Sequence, residues 1–188
     1  MADANQSISK ADLIDPTPRR KLFPGEDEDA YRAFRLALLS ELAPESYYER
    51  QLAENLVDLE WEAVRYRNLR ADLVKSETRD QGAQAFENLV SAFSWKPSEH
   101  SIAMANGLVV RDGPHSEAAM NALEDAGISF EEIVARAYAK QMPTLRHIEQ
   151  YLGDIEPRRR RLLDDYNGLK SKRAQNISDA EILETDDD

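Results

Sequence analysis

The chain has 188 residues, 41% of them hydrophobic and 32% charged, and its 36 acidic against 24 basic residues give a formal net charge of −12. The length fits one domain, and the charge indicates that nucleic acid and anionic membrane surfaces repel the chain as a whole. No cysteine is present, which excludes disulfides, thiolate chemistry and cysteine-based metal sites.

The composition favours helices. Seven glycines are too few for a chain of many short strands, because such folds need frequent turns with positive φ. The N-terminus has no basic region followed by an apolar run, and no apolar stretch approaches the roughly 20 residues that span a bilayer. We therefore expect an all-α, acidic, soluble and cytoplasmic protein without a signal peptide or a membrane span.

The N-terminal region predicts an arm followed by a first helix. Residues 1–25 are polar and contain three prolines, which favour an extended, flexible arm. From Asp27 to Ala43, apolar residues recur on one face of a helix. These residues are Tyr31, Phe34, Leu38 and Leu42. Pro44 ends this helix and can begin the next, since proline is tolerated in a first helical turn.

Two long stretches carry a heptad rhythm, which puts one stripe of side chains down one side of a helix that needs a partner. The first stripe comprises Leu52, Leu56, Leu59, Ala63, Tyr66, Arg70 and Leu73. The second comprises Val134, Tyr138, Gln141, Leu145, Ile148, Leu152, Ile155, Arg159, Leu162, Tyr166 and Leu169. We call these the seam positions. They predict a second helix from about Pro44 to Arg79, with a continuation after Gly82, and a final helix from Phe130 to about Ala174.

The sequence between these helices is less regular. Its turn signals are Asn106-Gly107 and Asp112-Gly113-Pro114. They predict an irregular connection over 96–114. A short helix from about Ser116 to Ala126 is expected to end at Gly127, and Ser129 is the expected cap of the final helix.

Pro143 and Pro157 lie inside the final helix. Each removes one backbone hydrogen bond and clashes with the preceding turn, at a cost of about 3 kcal/mol. Kinks or short breaks are expected at both positions. The seam keeps its phase across both prolines, which leaves open one bent helix or three closely stacked segments.

The expected organisation has three parts. Residues 1–25 form the flexible arm, and 26–176 form a single helical domain with the irregular connection at about 96–114. Residues 177–188 form an acidic disordered tail, because six acids and no base occur from Ser178 onward.

The charges predict how the two seams meet. Six acids and one base occur between Glu45 and Glu62, whereas seven bases and three acids occur between Glu156 and Arg173. An antiparallel hairpin places these regions side by side. Exposed pairs contribute only about 0.2 to 1 kcal/mol each, so they select the arrangement that the apolar stripes stabilise. The predicted fold is an elongated, coiled-coil-like antiparallel helical hairpin with shorter packing helices and disordered N- and C-terminal tails.

Arg70 and Arg159 stand at seam positions where an apolar residue is expected. A buried unpaired charge is costly, so each side chain should reach water or meet a carboxylate. In the predicted register, Arg159 lies near Asp58 and Glu62, and Arg70 lies near Asp154. We hypothesise that these polar layers fix the register.

Two basic clusters are candidate contacts to nucleic acid or to a protein partner. They are Arg158, Arg160 and Arg161 beside Arg159, and Arg19, Arg20 and Lys21 in the arm. Consecutive arginines point around a helix and have an acidic partner helix available, and the arm cluster has no aromatic interleaving. Structural counter-charge and a solvated linker are therefore the favoured interpretations.

Aromatic and histidine residues give no defensible site. Trp61, Tyr66 and Trp95 are aromatic residues that can stack on a ligand but more often fill a core. The histidines are His100, His115 and His147. None forms the Glu-x-x-His pair of di-iron bundles, and Asp112 with His115 is only a weak metal candidate because the two flank a glycine and a proline. We predict no catalytic, cofactor-binding or metal-binding residue.

Two sets of residues carry a resemblance. The first comprises Leu22-Phe23-Pro24-Gly25-Glu26-Asp27, Glu41-Leu42-Ala43-Pro44, Glu49 with Leu52, and Trp61 with Arg65. The second comprises Leu145-Arg146-His147-Ile148-Glu149, Leu152, Leu162, Leu163, Leu169 and Arg173. Together they resemble a poorly characterised family of bacterial helical proteins, some of which sit near mobile elements. That family's glycine- and lysine-rich N-terminal region is replaced here by 15–21. The resemblance implies a helical fold and brings no established activity.

These features predict a function without catalysis. The first hypothesis is a helical adaptor or assembly protein that acts through protein–protein contacts, with a protein partner or self-association and no cofactor. The alternative is a nucleic-acid-associated accessory factor of a mobile element or phage, which the net charge disfavours.

Overall fold

A computed structural model describes residues 22–91, 96–111 and 114–185, with only the backbone described at 114 and 176–185. In these ranges the chain forms five helices and no strand, as the all-α prediction requires. The helices are α1 (Glu28–Leu42), α2 (Tyr47–Val90), α3 (Glu99–Val110), α4 (Pro114–Asp125) and α5 (Phe130–Thr185). Most of the predicted arm, residues 1–21, lies outside the described residues.

Helix α1 has the bounds that the sequence predicts. Asp27 caps its start, where Oδ1 accepts hydrogen bonds from Asp29 N at 2.9 Å and Ala30 N at 3.1 Å. Ala43 ends it in the left-handed conformation, with φ of 48°, and its N–H donates to the carbonyl of Leu39. The cap residues therefore fix both ends of the helix.

Helix α2 is continuous through Gly82, so the expected interruption there does not occur. Gly82 is buried, and a Cβ on it would lie 3.4 Å from both Ala105 Cβ and Leu108 Cδ1. This glycine lets α3 approach α2 closely. The glycine is therefore explained by helix packing and does not mark a turn.

The irregular connection predicted over 96–114 is wrong, since α3 occupies most of it. Ser98 caps α3 by accepting a hydrogen bond from Ser101 N. Gly107, expected in a turn, is buried in the helix, where a Cβ would lie 2.6 Å from the backbone C and O of His115. The glycine therefore permits close packing of α3 on α4. Residues 112–113 lie outside the described residues, and α4 begins at Pro114.

Helix α5 passes through Pro143 and Pro157 without a break, which excludes three separate segments. It also continues to Thr185, past the end expected near Ala174 and into the predicted acidic tail. Between Gly168 and Thr185 the sequence has no proline or glycine, so nothing local stops the helix. Residues 186–188 lie outside the described residues.

Contacts divide the chain into two compact units. Unit 1 comprises Met1–Trp61 and Arg158–Asp188, and unit 2 comprises Glu62–Pro157. Both α2 and α5 contribute a segment to each unit. The single domain expected over 26–176 stays a prediction.

In unit 1, the α2 and α5 segments run antiparallel. Arg173 pairs with Glu49, and Arg159 pairs with Glu60, so positions rise along one helix as they fall along the other. The buried cluster contains Ala53, Leu56 and Tyr166, with Leu39, Leu42, Leu52 and Leu162 packed against it. Four of these are seam positions, which confirms the stripe within this unit.

In unit 2, the α2 and α5 segments are likewise antiparallel. The rings of Tyr66 and Tyr151 stack at 5.3 Å, and Gln141 Nε2 donates to Glu77 at 2.7 Å. A larger core forms where the end of α2 meets α3, α4 and the start of α5. It contains Ala83, Ala85, Phe86, Met104, Ala105, Leu108, Ala119, Leu123 and Ile133. Full burial of each large side chain contributes about 1.5 to 3 kcal/mol.

Within the described residues, none of the helices is both long enough and apolar enough to cross a membrane.

Candidate interaction surface

The predicted arginine run on α5 lies in unit 1, and part of it faces carboxylates. Arg159 Nη1 lies 3.2 Å from Glu60 Oε1, where Asp58 and Glu62 were expected as partners. The Arg159 side chain is 42% exposed, so it lies at the margin of the helix contact. Arg158, Arg160 and Arg161 are exposed, and the last two each take part in an interaction of their own.

A stronger polar cluster in unit 1 joins α5 to the start of α2. Ser46 Oγ accepts from Glu49 N, Glu45 N donates to Glu49 Oε2, and Arg173 Nη1 donates to both carboxylate oxygens of Glu49. Burial by itself would raise the pKa of Glu49. Hydrogen bonds from the backbone N–H groups of Glu45 and Ser46, together with the charge of Arg173, outweigh it and lower that pKa.

The carboxyl end of α1 is held by the same stretch of α5. The carbonyl of Leu42 accepts from Tyr166 Oη at 2.6 Å and from Lys170 Nζ at 2.9 Å. The last carbonyls of a helix have no partner within it and carry partial negative charge, so a lysine is favourable there. These two side chains bind α1 to α5.

Trp61 takes part in packing between helices, as the helical spacing of the aromatic residues predicts. Its Nε1 donates to Glu26 Oε1 at 2.9 Å. The centroid of its ring lies 5.2 Å from the ring centroid of Tyr31 and 5.5 Å from that of Phe34. Tyr31 Oη donates to Asp58 Oδ1 at 3.2 Å. Burial, the Asp58 charge and this hydrogen bond raise the pKa of Tyr31 to about 12. The third predicted aromatic, Trp95, lies outside the described residues.

In unit 2, Arg70 does not meet its predicted partner. Its Nη1 lies 2.5 Å from Glu149 Oε1, where Asp154 was expected. Both side chains are about half exposed, so this pair borders a surface instead of forming a buried polar layer. Arg70 therefore does both of the things that the sequence leaves open, since it reaches water and meets a carboxylate.

A buried carboxylate is found further along the same helix pair. Glu77 accepts hydrogen bonds from Gln81 at 2.8 Å and Gln141 at 2.7 Å, and Lys140 Nζ lies 2.7 Å from it. Burial alone would raise the pKa of Glu77, but these three donors and the Lys140 charge lower it. With its oxygens so engaged, this carboxylate serves the α2–α5 contact.

Beside the Arg70–Glu149 pair lies an open groove of about 470 Å³, which we call the α5 groove. Its lining includes Arg70 of α2 and, from α5, Tyr138, Met142, Leu145, Arg146 and Glu149. Leu145 is buried, whereas Tyr138 is 46% and Met142 43% exposed. The groove thus presents two large, half-exposed side chains beside a buried one, and the side chains of Arg70 and Arg146 also line it.

The spacing of α5 explains this surface. Tyr138, Met142 and Arg146 are four residues apart and form one row along the helix, whereas Leu145 belongs to the row that faces inward. Tyr138 is a seam position that the heptad pattern expects to be covered, yet it is nearly half exposed. The row can be identified in the sequence, but its exposure follows only from the packing of the helices.

Histidines and acids do not converge in the part of the chain that the structure describes. No group of three or more metal-ligating side chains occurs among the described residues. His115 is exposed on α4, and Asp112, its candidate partner, lies outside them. Arg19, Arg20 and Lys21 lie outside them as well.

Comparison with protein-family models, curated proteins and solved structures found no match. The resemblance to a bacterial helical family stays a prediction.

The α5 groove has the shape and chemistry to bind a side chain of another protein. Its apolar part can hold an aliphatic or aromatic side chain, and Arg146 can pair with a carboxylate or stack on an aromatic ring. Such mixed surfaces suit a protein segment, because arginine, tyrosine and methionine are enriched in the centres of protein interfaces.

Proposed function

We propose that this protein is a non-enzymatic helical interaction protein, an adaptor or assembly subunit, that acts in the cytoplasm through protein–protein contacts. The observation that carries the proposal is the α5 groove, where Tyr138 and Met142 stand half exposed beside Leu145. A partner that covers such side chains removes apolar area from water, at about 25 cal/mol per Å². The proposal assigns no catalytic residue.

The polar contacts of the helices also support this proposal. Glu49 and Glu77 are buried and engaged by side chains from the facing helix within their own units. Their hydrogen bonds and ion pairs account for their burial without a substrate. Their environment lowers both pKa values, which favours a fixed structural charge over proton transfer near neutral pH.

The nucleic-acid alternative has weaker support. Arg159 and Arg173 face carboxylates of α2, so part of the basic charge of α5 is compensated within unit 1. The formal net charge of −12 further opposes binding to phosphate backbones. A gel shift that weakens with salt and disappears on neutralising 158–161 would favour the alternative.

The proposal is tested by affinity purification from native cells, followed by mass measurement of the intact complexes. Met142→Glu places a charge in the groove, and Met120→Glu is the matched control. Met120 is also a half-exposed methionine, at 46%, but it lies on α4 and outside the groove lining. A protein partner retained by wild type and Met120→Glu but lost from Met142→Glu supports the proposal. Equal loss from both variants, or no protein partner at all, contradicts it.

A further inference from the structure

The row of Tyr138, Met142 and Arg146 along the α5 groove is evenly spaced about Met142. Tyr138 stands four residues before Met142, and Arg146 stands four residues after it. An aromatic ring and a cation therefore lie at equal distances on either side of an exposed apolar side chain, about 6 Å along the helix in each direction. All three residues line the groove.

We propose that the α5 groove binds the same groove of a second copy of this chain, with the two α5 helices antiparallel and a two-fold axis at Met142. This inference rests on the proposed function and names its partner. In a two-fold dimer, each residue before the axis faces the residue equally far beyond it in the other copy. Tyr138 then faces Arg146 of the second copy, and Met142 faces Met142 of the second copy.

The chemistry of the row fits this pairing. A guanidinium over a tyrosine ring is a favourable cation–π contact, and the symmetry forms it twice. A methionine side chain is flexible, so two of them can adapt to each other at the axis. Leu145, buried beside the row, provides an apolar floor for the partner's methionine.

Within the row of Tyr138, Met142 and Arg146, local charge complementarity favours a second copy over an acidic segment. Arg70 and Glu149 already pair at the margin of the groove, which leaves Arg146 as the cation that the row presents. An acidic segment would satisfy Arg146 but would leave the electron-rich face of Tyr138 without a cation. The row of a second copy satisfies both groups at once.

The first test uses the purified full chain in analytical ultracentrifugation over a range of concentrations at physiological salt. Wild type and Met120→Glu are expected to form a dimer. Met142→Glu is expected to weaken the dimer by at least about thirtyfold, because two carboxylates would then meet at the axis. Equal dimerisation of Met142→Glu and wild type overturns the proposal.

A charge-position exchange tests the two-fold geometry itself. Tyr138→Arg places arginine opposite arginine, and Arg146→Tyr removes the cation, so each single variant should dimerise about tenfold more weakly. The double variant Tyr138→Arg with Arg146→Tyr restores both contacts with their positions exchanged, and it should regain most of the wild-type affinity. Additive weakening in the double variant overturns the proposed register. Far-ultraviolet circular dichroism confirms that every variant keeps its helices.

Failure of this inference can be told apart from failure of the proposed function. If the purified wild type stays monomeric at about 100 µM, the second copy is excluded as the occupant. The proposed function still holds in that case if native-cell purification yields a different protein that Met142→Glu loses and Met120→Glu retains. If neither a dimer nor such a protein is found, both proposals are wrong.

Discussion

Arg173 of α5 donates to both carboxylate oxygens of Glu49 at the start of α2, with Nη1 lying 2.7 Å from Oε1 and 2.8 Å from Oε2. Its Nη2 lies 3.2 Å from Glu45 Oε2. Glu49 is 1% exposed, so its charge is compensated away from bulk water. One arginine thereby fixes α5 to the first turn of α2 within unit 1.

Arg173→Ala is expected to lower the free energy of unfolding by about 3 kcal/mol, because it leaves the buried Glu49 carboxylate without its cation. The matched control is Arg136→Ala, which removes an ion pair to Glu132 whose side chains are about half exposed. That pair should contribute at most about 0.5 kcal/mol. Urea unfolding followed by circular dichroism measures both variants. Similar losses of unfolding free energy in the two variants would show that the Glu49 contact stabilises the fold no more than an exposed ion pair does.

Two buried carboxyls, Glu49 and Glu77, contribute to the stability of the protein in acid. The pKa values of Glu49 and Glu77 are lowered from 4.5 in the fold. The unfolded chain therefore binds more protons than the folded chain just below pH 4.5, so stability falls as the pH falls. This contribution is fully present above 4.5 and is lost as the pH drops through the lowered pKa values.

Glu49→Gln should flatten the dependence of unfolding free energy on pH below 4.5. The double variant with Glu77→Gln should flatten it further, because the two residues lie in different units and make independent contacts. Urea unfolding at a series of pH values gives the slopes. Parallel curves for wild type and both variants would contradict the prediction.

The helical fold could be predicted from sequence because two independent signals agree. The heptad stripe indicates which faces are covered, and Leu56, Leu145 and Ile155 are indeed buried. The charge asymmetry gives the antiparallel direction, which the Glu49–Arg173 pair of unit 1 bears out. The register could not be predicted as well, because exposed pairs such as Arg70 with Glu149 contribute too little energy to fix it.

Helix α3 and the α5 groove could not be predicted, for a shared physical reason. The sequence Asn106-Gly107 is typical of a turn, and its helical role depends on the approach of the His115 backbone from α4. The exposure of Tyr138 likewise depends on which part of α5 the neighbouring helices of unit 2 cover. The helical role of Gly107 and the exposure of Tyr138 both depend on packing between helices, which the spacing of residues along one helix does not reveal.

Gly107→Ala tests the packing of α3 on α4. Its Cβ would lie 2.6 Å from the backbone C and O of His115, and a backbone cannot yield as a side chain can. We expect a loss of about 2 kcal/mol in unfolding free energy, despite the better helix propensity of alanine. Gly168→Ala in α5 meets no atom within 4 Å and should instead gain up to about 1 kcal/mol. A lower unfolding free energy for Gly107→Ala and a higher one for Gly168→Ala, measured by thermal and urea unfolding, support the close contact. A higher unfolding free energy for both variants contradicts it.

Tyr31 gives the protein a defined response to alkali. Burial raises its pKa, as do the Asp58 charge and the hydrogen bond to Asp58, from 10.0 to about 12. Between these values the folded chain binds the proton that the unfolded chain has lost, so stability falls as the pH rises. The contribution is fully present below pH 10 and is lost as the pH approaches 12.

Tyr31→Phe should therefore reduce the loss of unfolding free energy between pH 10 and 12, while costing about 1 kcal/mol near neutral pH through the lost hydrogen bond. In an ultraviolet titration of tyrosinate, the variant should lack a step near pH 12. Circular dichroism on the same samples shows whether the helices persist at each pH. If the missing step lies near pH 10 while the wild-type chain is still folded, the Asp58 contact does not hold the proton on Tyr31.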